Sequence, residues 1–391
     1  MEFPRILNEL QGWLSRNRIV DRLYPTSMRE ISVLKLFEPF RLKEIELKNR
    51  IAVAPMCQYS CEDGYVNDWH LVHLGSRAVG GAGLVVVEAT AVSAEGRISP
   101  SCSGIYHDGH VDAFTRINRF IKQFGAVPGI QLAHAGRKGS AQRPWEGDSH
   151  IPDHAGGWPT IAPSAIAHGG NLDKVPTEMS IDDIHRIQDA FVTGAKRALA
   201  AGFEWLELHF AHGYLAHEFY SPISNHRHDR FGGSFENRTR FLRETLQRVR
   251  SVWPERFPLT ARLSVTDWVD GGVTVEESIE LINLFRTDGL DLVDISHGFV
   301  IPDISPIPWG PGFMVPISRR IREATGMPTA VGWFITDPHQ AEQVIANGEA
   351  DLVMLARELL RDPYWPYHAA VALKASEPQS MLPPQYARAV S

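Results

Sequence analysis

Two histidines three residues apart, His209 and His212, stand just beyond a short apolar run in Glu207-Leu208-His209-Phe210-Ala211-His212-Gly213-Tyr214. If this segment makes one helical turn, that spacing puts both rings on one side. Three chemistries then compete. As metal ligands the pair needs a third donor, and only the more remote Glu218 offers itself. As core histidines each would need a satisfied partner. As N–H donors they could hold a substrate oxygen on which negative charge develops. Tyr214 stands two residues further on.

Other reactive or polar groups fall at equivalent places, at the ends of apolar runs. Cys57 lies in Ala54-Pro55-Met56-Cys57-Gln58-Tyr59. Gln131 sits within a run that leads into His134-Ala135-Gly136-Arg137-Lys138, and Arg262 lies inside another. Gly332-Trp333 and Ala356-Arg357 follow the last two runs. Charged and amide groups inside a barrel need partners, or their burial costs several kcal/mol; a bound polar cofactor would supply them. Gly332 would let the backbone approach an anion, and Arg357 could pair with that anion in bidentate fashion. A phosphorylated cofactor is therefore expected at the last two strand ends. Cys57 and Cys61 lack the spacing of a CxxC redox pair, and 3 cysteines are too few for an iron–sulfur cluster or a cysteine-rich zinc site.

The elements that must position these groups are legible as an alternation. Apolar runs occur at 51–56, 84–91, 127–132, 205–208, 259–263, 290–295, 329–331 and 352–355, without the strict alternation of half-exposed strands. Amphipathic stretches at 111–124, 181–201, 238–252, 275–287, 316–324 and 338–347 read as helices. Ser180 and Asp337 are candidate N-caps, and Gly202, Gly289, Gly326 and Gly348 follow helix ends. About eight strand–helix units predict a (β/α)8 TIM barrel. An open doubly wound sheet fits less well, since no G-x-G-x-x-G follows an early strand. Two loops break the alternation, 136–175 and 302–312, and both fall on the face where barrel enzymes build pockets.

The 391 residues, 43% hydrophobic and 22% charged with a net charge of -7, describe an ordinary soluble chain with no general affinity for nucleic acid or anionic membrane. The 3 cysteines point to a reducing compartment, the cytoplasm. Phe3, Ile6, Leu7, Leu10, Trp13 and Leu14 recur with helical spacing among charges, which favours a short amphipathic arm over a signal or transit peptide or an extension ahead of a start at Met28. The expected division is a peripheral extension at 1–34 and a single barrel domain at 35–391, with a capping insertion at about 136–175 and a C-terminal tail.

With these residues laid out, the chain resembles the Old Yellow Enzyme family of FMN-dependent ene-reductases, and most of all its bacterial, cysteine-bearing subclass that includes the xenobiotic reductases. The resemblance runs from Leu36 to about Tyr386. It rests on 54–59 (APMCQY), 129–137 (GIQLAHAGR), 209–215 (HFAHGYL), 221–227 (SPISNHR) with 230–234 (RFGGS), 308–314 (PWGPGFM) and 362–365 (DPYW). It implies that Ala54, Pro55, Met56, Cys57, Ala89, Gln131, Arg262, Ala356 and Arg357 hold FMN. Gln131 would meet the pyrimidine edge of the ring, Arg262 its N1 and C2-oxygen side, and Cys57 the C4-oxygen and N5 edge. Tyr59, His209, His212 and Tyr214 would line the substrate side, with Trp309 and Trp365 narrowing the pocket. NADPH or NADH would supply hydride in a ping-pong cycle whose acceptor is an activated alkene. Position 356 is Ala where Gly is common. Arg388 matches an arginine that in some relatives reaches a neighbouring subunit's site, which implies a dimer or tetramer, but Val390 replaces the aromatic that usually follows. Two rivals remain: a metal-dependent barrel hydrolase or aldolase with His209 and His212 as ligands, and a flavin-storage barrel.

Overall fold

In the computed structural model, which describes residues 34–390, eight parallel strands close into a barrel. They are β1 (Ile51–Val53), β2 (Leu84–Ala91), β3 (Val127–Ala133), β4 (Trp205–Phe210), β5 (Leu259–Ser264), β6 (Leu292–Ser296), β7 (Thr329–Val331) and β8 (Leu352–Leu355). Each pairs with the next in chain order, and β8 pairs with β1, so the expected TIM barrel is the observed fold. The ladder of β1 stops at Val53 rather than reaching Met56, and Pro55 has no N–H to continue it. β4 runs two residues past its expected end, to Phe210.

Around the barrel lie α1 (Asp68–Val79), α2 (His110–Gln123), α3 (Ile181–Ala200), α4 (Phe235–Arg250), α5 (Val275–Asp288), α6 (Val315–Thr325), α7 (Pro338–Ala346) and α8 (Trp365–Ala372). Six of these are the helices read from periodicity. α1 escapes that reading because its inner face carries His70, His73 and Arg77, which interrupt the apolar stripe. The caps form as expected: the Ser180 side chain accepts from Asp183 N, and Asp337 accepts from His339 N and Gln340 N. Gly289 and Gly326 end α5 and α6 in the left-handed conformation, at φ 98° and 67°.

Inside the barrel the first inward residue of several strands (Leu84, Val127, Trp205, Leu292 and Leu352) packs with Phe40, Ile45 and Leu47. Those three come from an antiparallel hairpin, Phe40–Leu42 with Ile45–Leu47, which plugs the N-terminal end of the barrel. The floor is thus sealed mainly with apolar side chains, Thr260 accepting the Trp205 indole N–H at 3.1 Å, and the ionisable inward residues lie above it.

The insertion at 136–175 contains three single 3-10 turns and a short strand, Ile161–Ala162, which pairs in parallel with Thr177–Glu178. The buried Arg137 guanidinium ties it down, donating to Ile166 O at 3.1 Å, to Ala167 O at 3.3 Å and to Val300 O at 2.5 Å. One side chain therefore fastens the insertion to the loop after β6. The expected amphipathic arm at residues 3–14 lies outside the described residues. Among those described, no helix is long and apolar enough to cross a membrane.

Candidate active site

His209 is the penultimate residue of β4, and its register partner on β5 is Arg262. The backbone then reverses through two consecutive left-handed residues, His212 at φ 62° and Gly213 at φ 69°. The helical turn expected from the three-residue spacing does not form here, because β4 keeps pairing with β5 as far as Phe210. A strand end and a sharp reversal bring the rings together instead, 5.0 Å apart and nearly perpendicular. Gly213 cannot be replaced cheaply, since a Cβ there would lie 2.1 Å from Phe299 O. His212 N donates to Ser264 Oγ at 2.9 Å, and the Tyr214 ring lies 5.2 Å from that of His209. Burial, and after it the positive charge of Arg262, holds both imidazoles well below the ordinary histidine range. They are neutral N–H donors. Burial also pushes the Tyr214 phenol up, so it keeps its proton.

Glu218 does not join the pair. Its carboxyl accepts from Arg137 N at 2.9 Å, and burial, partly offset by Arg137, raises it to about 8. A carboxyl held above its ordinary 4.5 contributes stability below that value and loses it as pH rises to about 8. Glu218→Gln should therefore narrow the stability difference between pH 5 and pH 8 by about 1–3 kcal/mol. Denaturant melts at the two pH values measure this, and an unchanged difference would place the titrating group elsewhere.

Beneath the histidines the barrel interior turns polar. Gln131 Nε2 donates to Glu207 Oε1 at 2.8 Å across β3 and β4. Arg262 Nε lies 3.3 Å from Asp294 Oδ2 across β5 and β6, an ionic contact without hydrogen-bond alignment. Burial, then the neighbouring Asp294, raises Glu207 to about 8, while Asp294 is raised to about 6 by burial against the pull of Arg262. Neither carboxylate was singled out from sequence. A single acid in Trp205–Phe210 or Leu292–Ser296 reads as an interruption, yet Glu207 shares inward parity with His209, and Asp294 stands opposite Arg262 in register. Lys138 was also passed over: its Nζ donates to His212 O at 3.0 Å and lies 4.9 Å from the centre of the Tyr214 ring.

The remaining expected residues divide into three groups. Pro55, Ala356, Arg357 and Arg262 line one cleft with His212, Trp333 and Met354. The Arg357 guanidinium lies over the Phe334 ring at 4.6 Å. Gly332 adjoins this cleft for a different reason than expected: a Cβ there would meet Met354 O at 2.5 Å, so the close approach of β8 already requires glycine. Ala54 is buried, and Met56 and Cys57 are half-buried on the segment after β1. Burial pushes the Cys57 thiol up, so it keeps its proton. Ala89 lies just after a bulge at Glu88 in β2. The bulge turns the Glu88 carboxylate back to accept from Gln58 N at 2.9 Å and to meet His70 Nε2 at 3.0 Å. His70 Nδ1 accepts from Asn67 N, so Nε2 carries the proton and faces both Glu88 and Cys61, a hydrogen-bonded set that steadies the Cys57 segment. Trp309 is 41% exposed, on the loop after β6, 5.5 Å from the ring of His297. Trp365 and Arg388 are not among the residues lining this cleft. Trp365 is buried at the start of α8 with its indole N–H on Thr336 O, and Arg388 is exposed near the chain's end.

Non-glycine residues in the left-handed region gather at this face: Tyr59, His212, Trp268, Phe299, Trp333 and Phe334 all have φ between 51° and 66°. Such backbone costs about 1–3 kcal/mol per residue and persists where packing overrides it, most often around binding sites. The profile of a family described as NADH:flavin oxidoreductase / NADH oxidase matches residues 35–375. The chain belongs to that family, the family of Old Yellow Enzyme. An NADPH dehydrogenase of Geobacillus sp. (strain WCH70) is 46% identical over 340 residues, which is 86% of this chain and 94% of that one. The old yellow enzyme homologue of Zymomonas mobilis superposes with a TM-score of 0.72 at 26% identity, over 87% of this chain and 93% of that one. A 2-naphthoyl-CoA reductase gives a TM-score of 0.79 at 27% identity over 89% of this chain, which spans only 53% of that longer protein.

The cleft suits the flavin that this Old Yellow Enzyme relationship implies. Arg357 brings a guanidinium to one end, as a phosphate requires, while Arg361 there is paired with Glu358 at 2.7 Å, and Arg262 places a second positive charge at the inner end, where an anionic ring edge needs it. Arg262 Nε is buried without a hydrogen-bond acceptor among the described residues, an unmet donor that such an edge would satisfy. The metal alternative finds no support at the histidines: Glu218 is turned to Arg137, and the family is one of flavin oxidoreductases.

Proposed function

We propose that the chain is an FMN-dependent NADPH oxidoreductase that reduces carbon–carbon double bonds conjugated to a carbonyl or nitro group. The observation that carries this reading is the stacking of functions at one strand-end face: two neutral histidines and a protonated tyrosine above, and an arginine-centred polar layer below. Bound FMN, which Arg262, Arg357 and the segment after β1 would hold, would supply the hydride chemistry that links the nicotinamide to the alkene. His209 and His212 hold the alkene's oxygen and stabilise the negative charge that develops on it. Tyr214, which burial keeps protonated, is the donor we assign to the α carbon. Tyr59 and Trp309 border the substrate side, the insertion touching Tyr59 through an edge-on contact with Trp145 at 5.7 Å. Cys57, held as a neutral thiol, bears on the ring edge as a polarizable neighbour rather than as a nucleophile.

Residues 35–391 act on this reading as one FMN-binding domain, and the enzyme works in the cytoplasm, where its three free thiols stay reduced. The exposed tail around Arg388 is the segment we assign to contact with a neighbouring subunit, in a dimer or tetramer.

The purified protein should be yellow, bleach anaerobically with NADPH, and regain its colour when 2-cyclohexenone is added. A colourless, chelator-inhibited enzyme would instead favour the metal-dependent hydrolase. A yellow protein that NADPH does not bleach would favour flavin storage.

A further inference from the structure

The ring nitrogens of His212 have different surroundings. Its Nε2 lies 2.5 Å from Ser296 Oγ, at the end of β6. The same Ser296 oxygen accepts the indole N–H of Trp333 at 3.1 Å. An indole nitrogen can only donate, so Ser296 must be the acceptor in that bond. Its own hydroxyl hydrogen then needs an acceptor, and among the described residues the hydrogen bonds of Ser296 Oγ run only to Trp333 and His212. A buried hydroxyl seldom leaves its hydrogen unused, and Ser296 is fully buried. The hydrogen therefore goes to His212 Nε2, which must present its lone pair. Since burial keeps His212 neutral, the ring's one proton sits on Nδ1.

We propose that Ser296, oriented by Trp333, is a positioning residue that fixes His212 in the Nδ1–H tautomer and so aims a donor, not a lone pair, at the substrate oxygen. The consequence for catalysis rests on the reading that His212 holds that oxygen; the tautomer assignment does not. His209 complements it. Its Nδ1 is buried without a partner among the described residues, and a buried N–H is rarely left so, which puts the His209 proton on Nε2. The pair then offers one N–H from each ring, from opposite nitrogens. With free tautomers, His212 would spend part of its time turning a lone pair toward an oxygen that is gaining negative charge, which repels it. The relay also joins three strand ends, β4 through His212, β6 through Ser296 and β7 through Trp333. It resists rotation of the imidazole as well as its tautomerisation.

The test uses holoenzyme labelled with 15N-histidine, in which long-range proton–nitrogen spectra separate the two tautomers, His212 being assigned by its absence in His212→Gln. Wild type should show Nδ1 protonated and Nε2 bare in the resting enzyme. Ser296→Ala removes one small hydroxyl, and should give a mixed or Nε2–H population. It should also lower the rate of the cyclohexenone-reducing step by about three- to tenfold, as expected for the loss of one orienting hydrogen bond. A resting wild-type His212 protonated on Nε2 would overturn the proposal. So would an Nδ1–H form that persists unchanged in Ser296→Ala. Failure of the ene-reductase reading itself would appear separately, as wild-type enzyme that does not turn over enones while the tautomer spectra remain interpretable.

Discussion

His209→Ala is expected to lower the rate of 2-cyclohexenone reduction by about 10²–10³-fold while the protein stays folded and flavin-bound. The magnitude follows from where the ring sits. It is 4% exposed, neutral, and 5.0 Å from His212, so its N–H acts on a developing charge with little screening by water. The barrel should tolerate the change, because no hydrogen bond to Nδ1 is lost and the neighbouring β4 residues Leu208 and Phe210 carry the outward packing. Because both histidines stay neutral across the ordinary pH range, the rate that depends on them should not bend near pH 6.5. Stopped-flow traces from pH 5.5 to 8 would show this, and near-normal turnover in the variant would remove His209 from the mechanism.

Arg262→Met is expected to give the largest loss of stability, about 3–5 kcal/mol, together with loss of flavin. Arg262 is 3.3 Å from Asp294, and its charge also lowers the pKa of Glu207. Removing it leaves two buried carboxyls without a cation. Both already sit above their ordinary range, at about 6 for Asp294 and about 8 for Glu207, and both would rise further. A raised carboxyl costs stability once pH climbs toward its folded pKa, so the variant's deficit should be larger at pH 8.5 than at pH 5.5. Equal deficits at the two pH values would mean that packing, not charge, is what Arg262 provides. Adding Asp294→Asn should restore part of the loss at high pH.

The family motifs were readable because they are local. Runs such as Ile51–Val53 and Leu352–Leu355 are apolar on both faces, which only a strand buried between a barrel interior and a helix layer requires. Ser180 and Asp337 are caps because a side-chain oxygen reaches N–H groups two or three residues on. α1 was missed because His70 and Arg77 face inward to make hydrogen bonds, and the buried His73 breaks the apolar stripe between them.

By itself the sequence determined the barrel and the face on which the chemistry lies, since each follows from composition and spacing within one strand or loop; that the two histidines are neutral follows only from their burial. The tertiary structure decided how the two histidines meet. Pairing of β4 through Phe210 and the left-handed turn at His212 replaced the helical turn that the spacing suggested. It also decided which inward residues touch: Gln131 with Glu207, Arg262 with Asp294, and Ser296 with both His212 and Trp333. The physical reason is that parity along a strand says only whether a side chain points inward. Which of the other inward side chains it meets depends on the stagger between strands and on loop closure, and both are set by contacts between segments far apart in the chain.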